Sequence, residues 1–182
     1  MKTHIEIPSR IESELRAHFF QSDVEQGAFL FASARNEGDG LRLDVVDLYL
    51  VPPEGWEVQM DVYLQMSDAE RARIMKLARE KDLCAIDCHS HPNSGGNVWF
   101  SPSDVAGITE FAQYAKWKLG GKPFAAMVWG EDTLDAVVWR ETFLQAEPVG
   151  EVRITGLTQK TYIPTASWFT RPRGKHRFET YD

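Results

Sequence analysis

A histidine pair at His89 and His91, followed by a helix start at Ser101-Pro102-Ser103-Asp104, constrains the fold of this chain more than any other feature. Residues two apart on a β-strand point to one face of the sheet, so the two imidazoles converge if they lie on a strand. Ser101 is a preferred N-cap, proline is favoured at the first helical position, and the helix dipole favours a carboxylate at Asp104. The fold must therefore bring a strand end and a helix start together.

These residue types, in this arrangement, predict a catalytic zinc site. Two histidines and one carboxylate supply three of the four zinc ligands, and the fourth position stays open to water. Structural zinc sites are instead closed by four protein ligands, mostly cysteines, and this chain has only Cys84 and Cys88. Strand alternation turns Cys88 away from His89, so we expect it to be a packed core thiol. The pattern indicates metal-assisted hydrolysis.

Length and composition indicate a single domain with one core. The chain has 182 residues, of which 43% are hydrophobic and 26% are charged. Its net charge of -7 disfavours broad nucleic-acid binding. The N-terminus lacks the basic-then-apolar run of a secretory signal, and no stretch approaches the roughly 18 apolar residues of a membrane span. We therefore expect a cytoplasmic protein with reduced thiols and with neither nucleic-acid nor membrane partners.

Hydrophobic periodicity and turn residues divide the chain into strands and helices. Helical patterns cover residues 8–21, 67–81 and 101–119. Strand patterns cover residues 27–34, 41–51, 83–89, 124–129, 134–140 and 152–154, with a further strand or extended loop at 56–62. Mixed strands with intervening helices predict an α/β fold, arranged as three α-β-α layers around one mixed, curved sheet.

The motif residues resemble those of the JAB/MPN/JAMM zinc metalloproteases, in their prokaryotic, deubiquitinase-like branch. The family motif is an upstream glutamate, then His-x-His, then Ser-x-x-Asp, and residues 25–31 look like the family's glutamate at its first core strand. The match covers residues 25–140, and the order of helices and strands fits the family and its cytidine-deaminase-like layering. One departure is a longer loop between His91 and Ser101, where local substrate contacts would differ.

The resemblance implies a role for each motif residue. His89, His91 and Asp104 would hold one zinc ion per chain. Glu25 would act as the general base that takes the proton of the attacking water and later passes it to the leaving amine. Ser101 would donate a hydrogen bond to the tetrahedral oxyanion.

The choice of Glu25 as the base rests on the resemblance alone. A positioned carboxylate contributes roughly 10²- to 10⁴-fold to the rate of such a reaction. The residue pattern does not identify which carboxylate takes this role. On sequence physics the alternatives Glu12, Glu14 and Glu37 stay open.

The resemblance also implies a substrate, because members of this family cleave the bond after the C-terminal glycine of ubiquitin-like proteins. The expected partners are such a protein, its conjugates, and associated activating and conjugating enzymes, including those of antiphage systems. An extended glycine tail would lie beside an exposed strand edge and pair through its backbone.

Two segments are candidate substrate contacts. Residues 56–65 occupy the place of a substrate-contacting insertion in the family, and Trp56, Val58 and Met60 are the candidates there, with an ordinary edge strand as the alternative. The second segment is the loop before Ser101. Its Trp99 or Phe100 either covers the metal or anchors the loop in the core.

The predicted organisation is a metalloprotease domain over residues 1–150 and a C-terminal extension over 151–182. The extension carries a basic segment with interleaved aromatic residues. Its members are Trp168, Phe169, Arg171, Arg173, Lys175, Arg177 and Phe178. A docking segment for an acidic partner and a solvated or locally packed tail are both consistent with this pattern.

Other functions are weighed against the isopeptidase. A non-catalytic scaffold of the same fold usually lacks ligands, whereas all five motif residues are present here. A zinc peptidase acting on another substrate, such as a peptidoglycan peptide, is disfavoured because no export signal is seen. A zinc nucleobase deaminase requires His-x-Glu and Pro-Cys-x-x-Cys elements, which this sequence lacks. We therefore expect a zinc isopeptidase that removes or matures a ubiquitin-like protein.

Overall fold

A computed structural model describes residues 2–61, 63–140 and 145–170. The helices are α1 (Ser9–Phe19), α2 (Asp68–Glu80), α3 (Pro102–Lys118) and α4 (Ser167–Thr170), with a 3-10 turn at Pro53–Gly55. The strands are β1 (Thr3–Pro8), β2 (Gly27–Glu37), β3 (Gly40–Leu50), β4 (Trp56–Gln59), β5 (Leu64–Met66), β6 (Cys84–Ser90), β7 (Phe124–Trp129), β8 (Leu134–Trp139), β9 (Glu147–Thr155) and β10 (Lys160–Tyr162).

The main sheet closes on itself as a seven-stranded barrel. Its strand order is β1-β3-β2-β6-β7-β8-β9, and β9 returns to pair with β1 in parallel. The sheet is mixed, since β1 also pairs with β3 in parallel and β6 with β7, whereas β2 is antiparallel to both of its neighbours. β10 adds to one side of β9, and β4 and β5 form a separate hairpin.

The predicted three-layer α-β-α sandwich is wrong, although the mixed α/β class holds. A sandwich requires an open sheet, and here β1 joins the two ends of the sheet by pairing with both β3 and β9. No strand was predicted before the first helix, yet Thr3, Ile5 and Ile7 are buried and alternate with partly exposed residues. This period of two is typical of a strand, and β-branched isoleucines favour it.

Two hydrophobic clusters lie on opposite faces of the closed sheet. Leu30 and Ile86 point into a cluster shared by the barrel strands and filled by the apolar stripe of α1. Their neighbours Phe29 and Phe31 point the other way, into a cluster formed with α2 and α3. Cys88 belongs to the first cluster, so its predicted role as a packed core thiol is confirmed. The face that carries α2 and α3 is the face that carries the histidines.

The C-terminal part of the described chain packs on the barrel. β9 crosses the predicted boundary between residues 150 and 151, and Tyr162 and Trp168 are buried. The basic residues Arg171, Arg173, Lys175 and Arg177 and the aromatic Phe178 lie outside the described residues. Among the residues that are described, no helix has the length and apolar character needed to cross a membrane.

Candidate metal centre

The strand β6 positions the histidine pair. It lies between β2 and β7 in the sheet, so its backbone is held on both sides. His91 follows the last residue of β6, and its backbone N–H still donates to the Trp129 carbonyl at 2.8 Å. The imidazole rings of His89 and His91 lie with their centroids 5.0 Å apart. The convergence predicted from strand alternation is therefore present.

The first turn of α3 positions the carboxylate. Ser101 Oγ accepts the backbone N–H of Asp104 at 3.2 Å, and Asp104 Oδ2 accepts the backbone N–H of Ser101 at 2.6 Å. This reciprocal pair is a capping box, with Pro102 at the first helical position as predicted. The turn therefore holds the carboxylate of Asp104 still, as a metal ligand requires.

The three candidate ligands come together at spacings that suit one metal ion. Asp104 Oδ2 lies 3.5 Å from His89 Nε2 and 3.4 Å from His91 Nε2. Ligand atoms of a tetrahedral zinc site stand about 3.3 Å apart, since each lies 2.0–2.1 Å from the ion. His89 Nε2 is buried and has no hydrogen-bond partner among the described residues, a cost that a bound cation would remove. The His89-His91-Asp104 group can therefore hold a metal ion.

The electrostatics of the group also favour a cation. Burial alone would lower the pKa of His89, but the neighbouring carboxylates of Asp104 and Asp87 raise it to about 9. In the other direction, burial would raise the pKa of Asp104, and the two histidines hold it well below its usual range. Positive charge is thus stabilised where the ligand atoms meet, and a divalent ion would take the place of the protons.

Glu25 lies beside the candidate ligands and comes from the segment before β2. It precedes β2, whose first residue Gly27 pairs with His89 across the sheet. The side chain is buried, and its Oε1 lies 3.4 Å from His91 Nε2. Burial raises the pKa of Glu25 to about 7, against an opposing effect of His89. A carboxyl group with such a pKa can both accept and return a proton near neutral pH.

The other glutamates left open by the sequence lie elsewhere. Glu12 pairs with Arg16 on α1 at 3.7 Å, and Glu14 is exposed on the same helix. Glu37 pairs with Arg42 at 3.5 Å, at the end of β2 remote from the histidines. Of the four candidates, Glu25 is therefore the one that the fold brings to the metal ligands.

Comparisons with known families and with curated proteins find no match for this chain. The resemblance to the JAB/MPN/JAMM metalloproteases therefore rests on the motif residues.

Two cavities flank the candidate ligands, and Glu25 lines both of them. The first, of about 360 Å³, lies between α3 and the β4–β5 hairpin and is also lined by His89 and Asp104. The second, of about 320 Å³, is also lined by His91 and Ser101. A molecule bound across the candidate ligands could therefore place one part in each cavity.

Ser101 lines the second cavity but already takes part in local hydrogen bonds. Its Oγ accepts from the Asp104 amide and lies 2.8 Å from Ser103 Oγ. A serine hydroxyl has one proton to donate, so Ser101 can serve an oxyanion only if Ser103 donates to it. Its role as an oxyanion donor stays a prediction.

The candidate substrate contacts fall in three different environments. Trp56 lines the first cavity, and Val58 is half-buried on the same strand of the hairpin. Met60 is exposed just beyond β4, with 53% of its surface accessible. Trp99 lines the second cavity, whereas Phe100 is buried with its ring centroid 6.1 Å from that of His89. The loop is thus anchored by Phe100, and Trp99 stays a candidate contact.

Several polar residues at the site were not predicted. Asp87 lines the first cavity together with Arg71, and Asp61 lines the second. Gln59 donates to the Glu25 carbonyl at 3.0 Å and so ties the hairpin to the segment that carries the candidate base. Strand alternation identifies Asp87, because it lies two residues before His89 on β6. The other three depend on how the hairpin and α2 fold over the site, which no local pattern specifies.

Gly27 is a point of close approach at which we expect a measurable loss of stability. A Cβ atom there would lie 2.4 Å from the Trp56 ring, so Gly27→Ala must displace the indole or the hairpin. We expect the free energy of unfolding to fall by about 1–3 kcal/mol, the usual cost of overpacking. Chemical denaturation measures this change.

Gly107→Ala is the matched control for that substitution. It lies inside α3, and an added Cβ would meet nothing within 4 Å. Because alanine is the better helix former, this variant should gain about 0.5–1 kcal/mol. Equal stability of Gly27→Ala and the wild type would show that Trp56 is not held against β2.

Proposed function

We propose that this chain is a zinc-dependent peptidase of the JAB/MPN/JAMM type, which cleaves after the C-terminal glycine of a ubiquitin-like protein. The observation that carries the proposal is the position of Glu25. A buried carboxylate lies 3.4 Å from His91 Nε2 and lines both of the cavities that flank the three candidate ligands. Ligands alone are consistent with a structural or regulatory metal, whereas ligands with an adjacent base are typical of a hydrolase.

Zinc is the metal that this ligand set suits. Two imidazole nitrogens and one carboxylate oxygen, with room left for water, are typical of catalytic zinc sites. His89, His91 and Asp104 would hold the ion. When bound, zinc supplies Lewis-acid activation of water and of the substrate carbonyl group.

The remaining chemistry belongs to residues of this chain. Glu25 accepts a proton from the attacking water and delivers it to the leaving amine, a role that its buried position 3.4 Å from His91 Nε2 supports. With Ser103 donating to its Oγ, Ser101 donates its own hydroxyl hydrogen bond to the oxygen that gains negative charge. The capping box that fixes Ser101 relative to Asp104 keeps this donor at a constant place beside the metal ligands.

The shape of the first cavity supports an extended substrate tail. The cavity runs beneath the β4–β5 hairpin to His89 and Asp104, and Trp56 packs against Gly27 along its wall. A glycine tail lacks side chains, so it needs little room beside the Trp56 ring, and it can pair through its backbone with a hairpin edge. Activating or conjugating enzymes as partners, and a part in antiphage defence, follow from the family resemblance alone.

Cleavage of a tailed substrate tests the proposal. We would incubate the zinc-loaded protein with ubiquitin-like proteins that carry a short peptide after a Gly-Gly tail, and measure the released peptide by mass spectrometry. We expect cleavage after the last glycine, and at least a tenfold lower rate when that glycine is replaced by valine. Absence of cleavage across such a panel, with zinc bound, would overturn the substrate assignment.

A further inference from the structure

Asp135 is a buried carboxylate that takes no part in the proposed chemistry. It lies on β8 with none of its surface exposed. Its Oδ1 accepts the backbone N–H groups of Ala136 at 2.9 Å and Ala166 at 3.0 Å, and its Oδ2 accepts that of Ser167 at 2.8 Å. The Ser167 hydroxyl also donates to Oδ2. Since a buried carboxylate is costly without such donors, this arrangement fixes the start of α4 firmly to β8.

Ser167 links Asp135 to the loop that leads into α3. Its Oγ accepts the backbone N–H of Phe100 at 3.1 Å, in a buried contact. Phe100 directly precedes Ser101, the N-cap of the helix that presents Asp104. An unbroken series of hydrogen bonds therefore runs from β8 through Ser167 to the residue before the capping box.

Aromatic packing follows the same route. The Trp168 ring meets the Phe100 ring edge-on, with centroids 5.1 Å apart, and the Phe100 ring lies 6.1 Å from that of His89. Trp168 also packs edge-on against Trp139 at 5.5 Å. Phe100 is thus held between α4 and a metal ligand, so its position affects both His89 and the turn that carries Asp104.

The loop before Phe100 is held from the same side. Thr165 donates through its hydroxyl to the Val98 carbonyl at 2.9 Å, and the Val98 N–H donates to Thr133 Oγ1 at 2.9 Å. Ala166, between these contacts and α4, has a φ of 56°, a backbone conformation that costs free energy for an alanine. The contacts to Asp135 offset that cost, so the segment is held in one conformation.

We propose that Asp135 and Ser167 are positioning residues of the metal centre, which hold the turn of Phe100–Asp104 so that Asp104 stays at ligand distance from the two histidines. The inference rests on the metal site of the proposed function and extends it to one residue of β8 and one of α4. Residues that hydrogen-bond directly to a metal ligand typically contribute 10- to 100-fold to metal affinity. Ser167 and Asp135 act one step further away, through Phe100, so we expect an effect near the lower end of that range. α4 then serves the metal centre although it supplies no ligand.

Two variants and one control test this role. Ser167→Ala removes only the hydroxyl, and Asp135→Asn replaces the carboxylate at nearly constant volume. The control is Lys116→Met, since Lys116 is also buried and donates to the carbonyls of Trp139 and Arg140. Lys116 lies about 18 Å from Asp104 along α3. It bonds to the Trp139 carbonyl and not to the Trp139 ring that packs on Trp168, so its loss destabilises the fold and leaves the hydrogen bonds to Phe100 in place.

We would measure zinc affinity by competition with a chromophoric chelator, together with thermal stability and amide hydrogen exchange of the metal-free proteins. Ser167→Ala and Asp135→Asn should weaken zinc binding about tenfold or more and speed exchange at residues 98–104. Lys116→Met should lower stability and leave zinc affinity unchanged.

The outcomes separate this inference from the proposed function. Unchanged zinc affinity and unchanged exchange in Ser167→Ala would overturn the positioning role, whatever the stability of Asp135→Asn. If the wild type binds zinc but cleaves no tailed substrate, the proposed function fails and the positioning role stands on the affinities. If the wild type binds no zinc, there is no metal centre to position, and the proposed function and the positioning role both fail.

Discussion

We expect about one zinc ion per chain in the wild type and little zinc in Asp104→Ala. Asp104 Oδ2 faces both His89 Nε2 and His91 Nε2 within 3.5 Å, so its loss leaves two imidazoles that bind a metal weakly. Loss of a residue behind a ligand already costs about 10- to 100-fold in affinity, and loss of a ligand costs more. Elemental analysis of protein purified without added metal measures the ratio.

The same substitution also removes half of a capping box, and controls must separate the two effects. Asp104→Asn keeps an oxygen that can accept the Ser101 N–H, but it loses the charge, so we expect an intact helix start with weakened zinc binding. Asp68→Ala makes the same change in the first turn of α2, where the side chain is exposed and outside the site. It should bind zinc normally. One zinc per chain in Asp104→Ala would show that this carboxylate is not a ligand.

The metal group was predictable because each of its parts is specified over a few residues. Strand alternation placed His89 and His91 on one face, and an N-cap serine followed by proline placed Asp104 in the first turn of a helix. These rules do not depend on the rest of the fold, and the structure brings the three side chains together. Glu25 differs, because only the pairing of β2 with β6 brings it to the histidines, and no local pattern distinguishes it from Glu12.

The closed sheet was not predictable from the same rules. A period-two pattern indicates a strand but does not specify its partner. β1 pairs with β3 and with β9, which ends at Thr155, so closure depends on contacts between distant parts of the chain. The short alternation of Thr3–Pro8 also runs directly into α1, and the stronger helical stripe that follows obscures it. The predicted three-layer arrangement was wrong for this reason, whereas the prediction that His89 and His91 lie on one face of the sheet was confirmed.

Glu25→Gln should keep zinc and lose turnover. Glutamine has nearly the same volume and still fits beside His91, but an amide cannot accept the proton of the attacking water. We expect the rate of tailed-substrate cleavage to fall by roughly 10²- to 10⁴-fold, the usual contribution of a positioned base. Single-turnover rates with matched zinc content measure the loss. Glu37→Gln, which alters a glutamate paired with Arg42 away from the site, should cleave at the wild-type rate.

The stability of the metal-free proteins provides an independent test of the same residue. Burial raises the pKa of Glu25 from an ordinary 4.5 to about 7. Between pH 4.5 and about 7, Glu25 is therefore mostly protonated in the folded state and mostly ionised in the unfolded state. The contribution of Glu25 to stability is therefore present below about pH 4.5 and is lost as the pH rises to about 7. Glutamine does not titrate, so Glu25→Gln should become more stable relative to the wild type over this interval.

These two measurements together decide the role of Glu25. A variant with the expected stability difference and no turnover has lost only its base, because the fold and the zinc are unchanged. A variant that still cleaves at the wild-type rate would assign the base to another carboxylate, and Asp61, which lines the second cavity with Glu25, would be the next to replace. A variant that loses zinc would place Glu25 among the ligands, 3.4 Å from His91 Nε2, and the reaction would then need a base from the substrate or solvent.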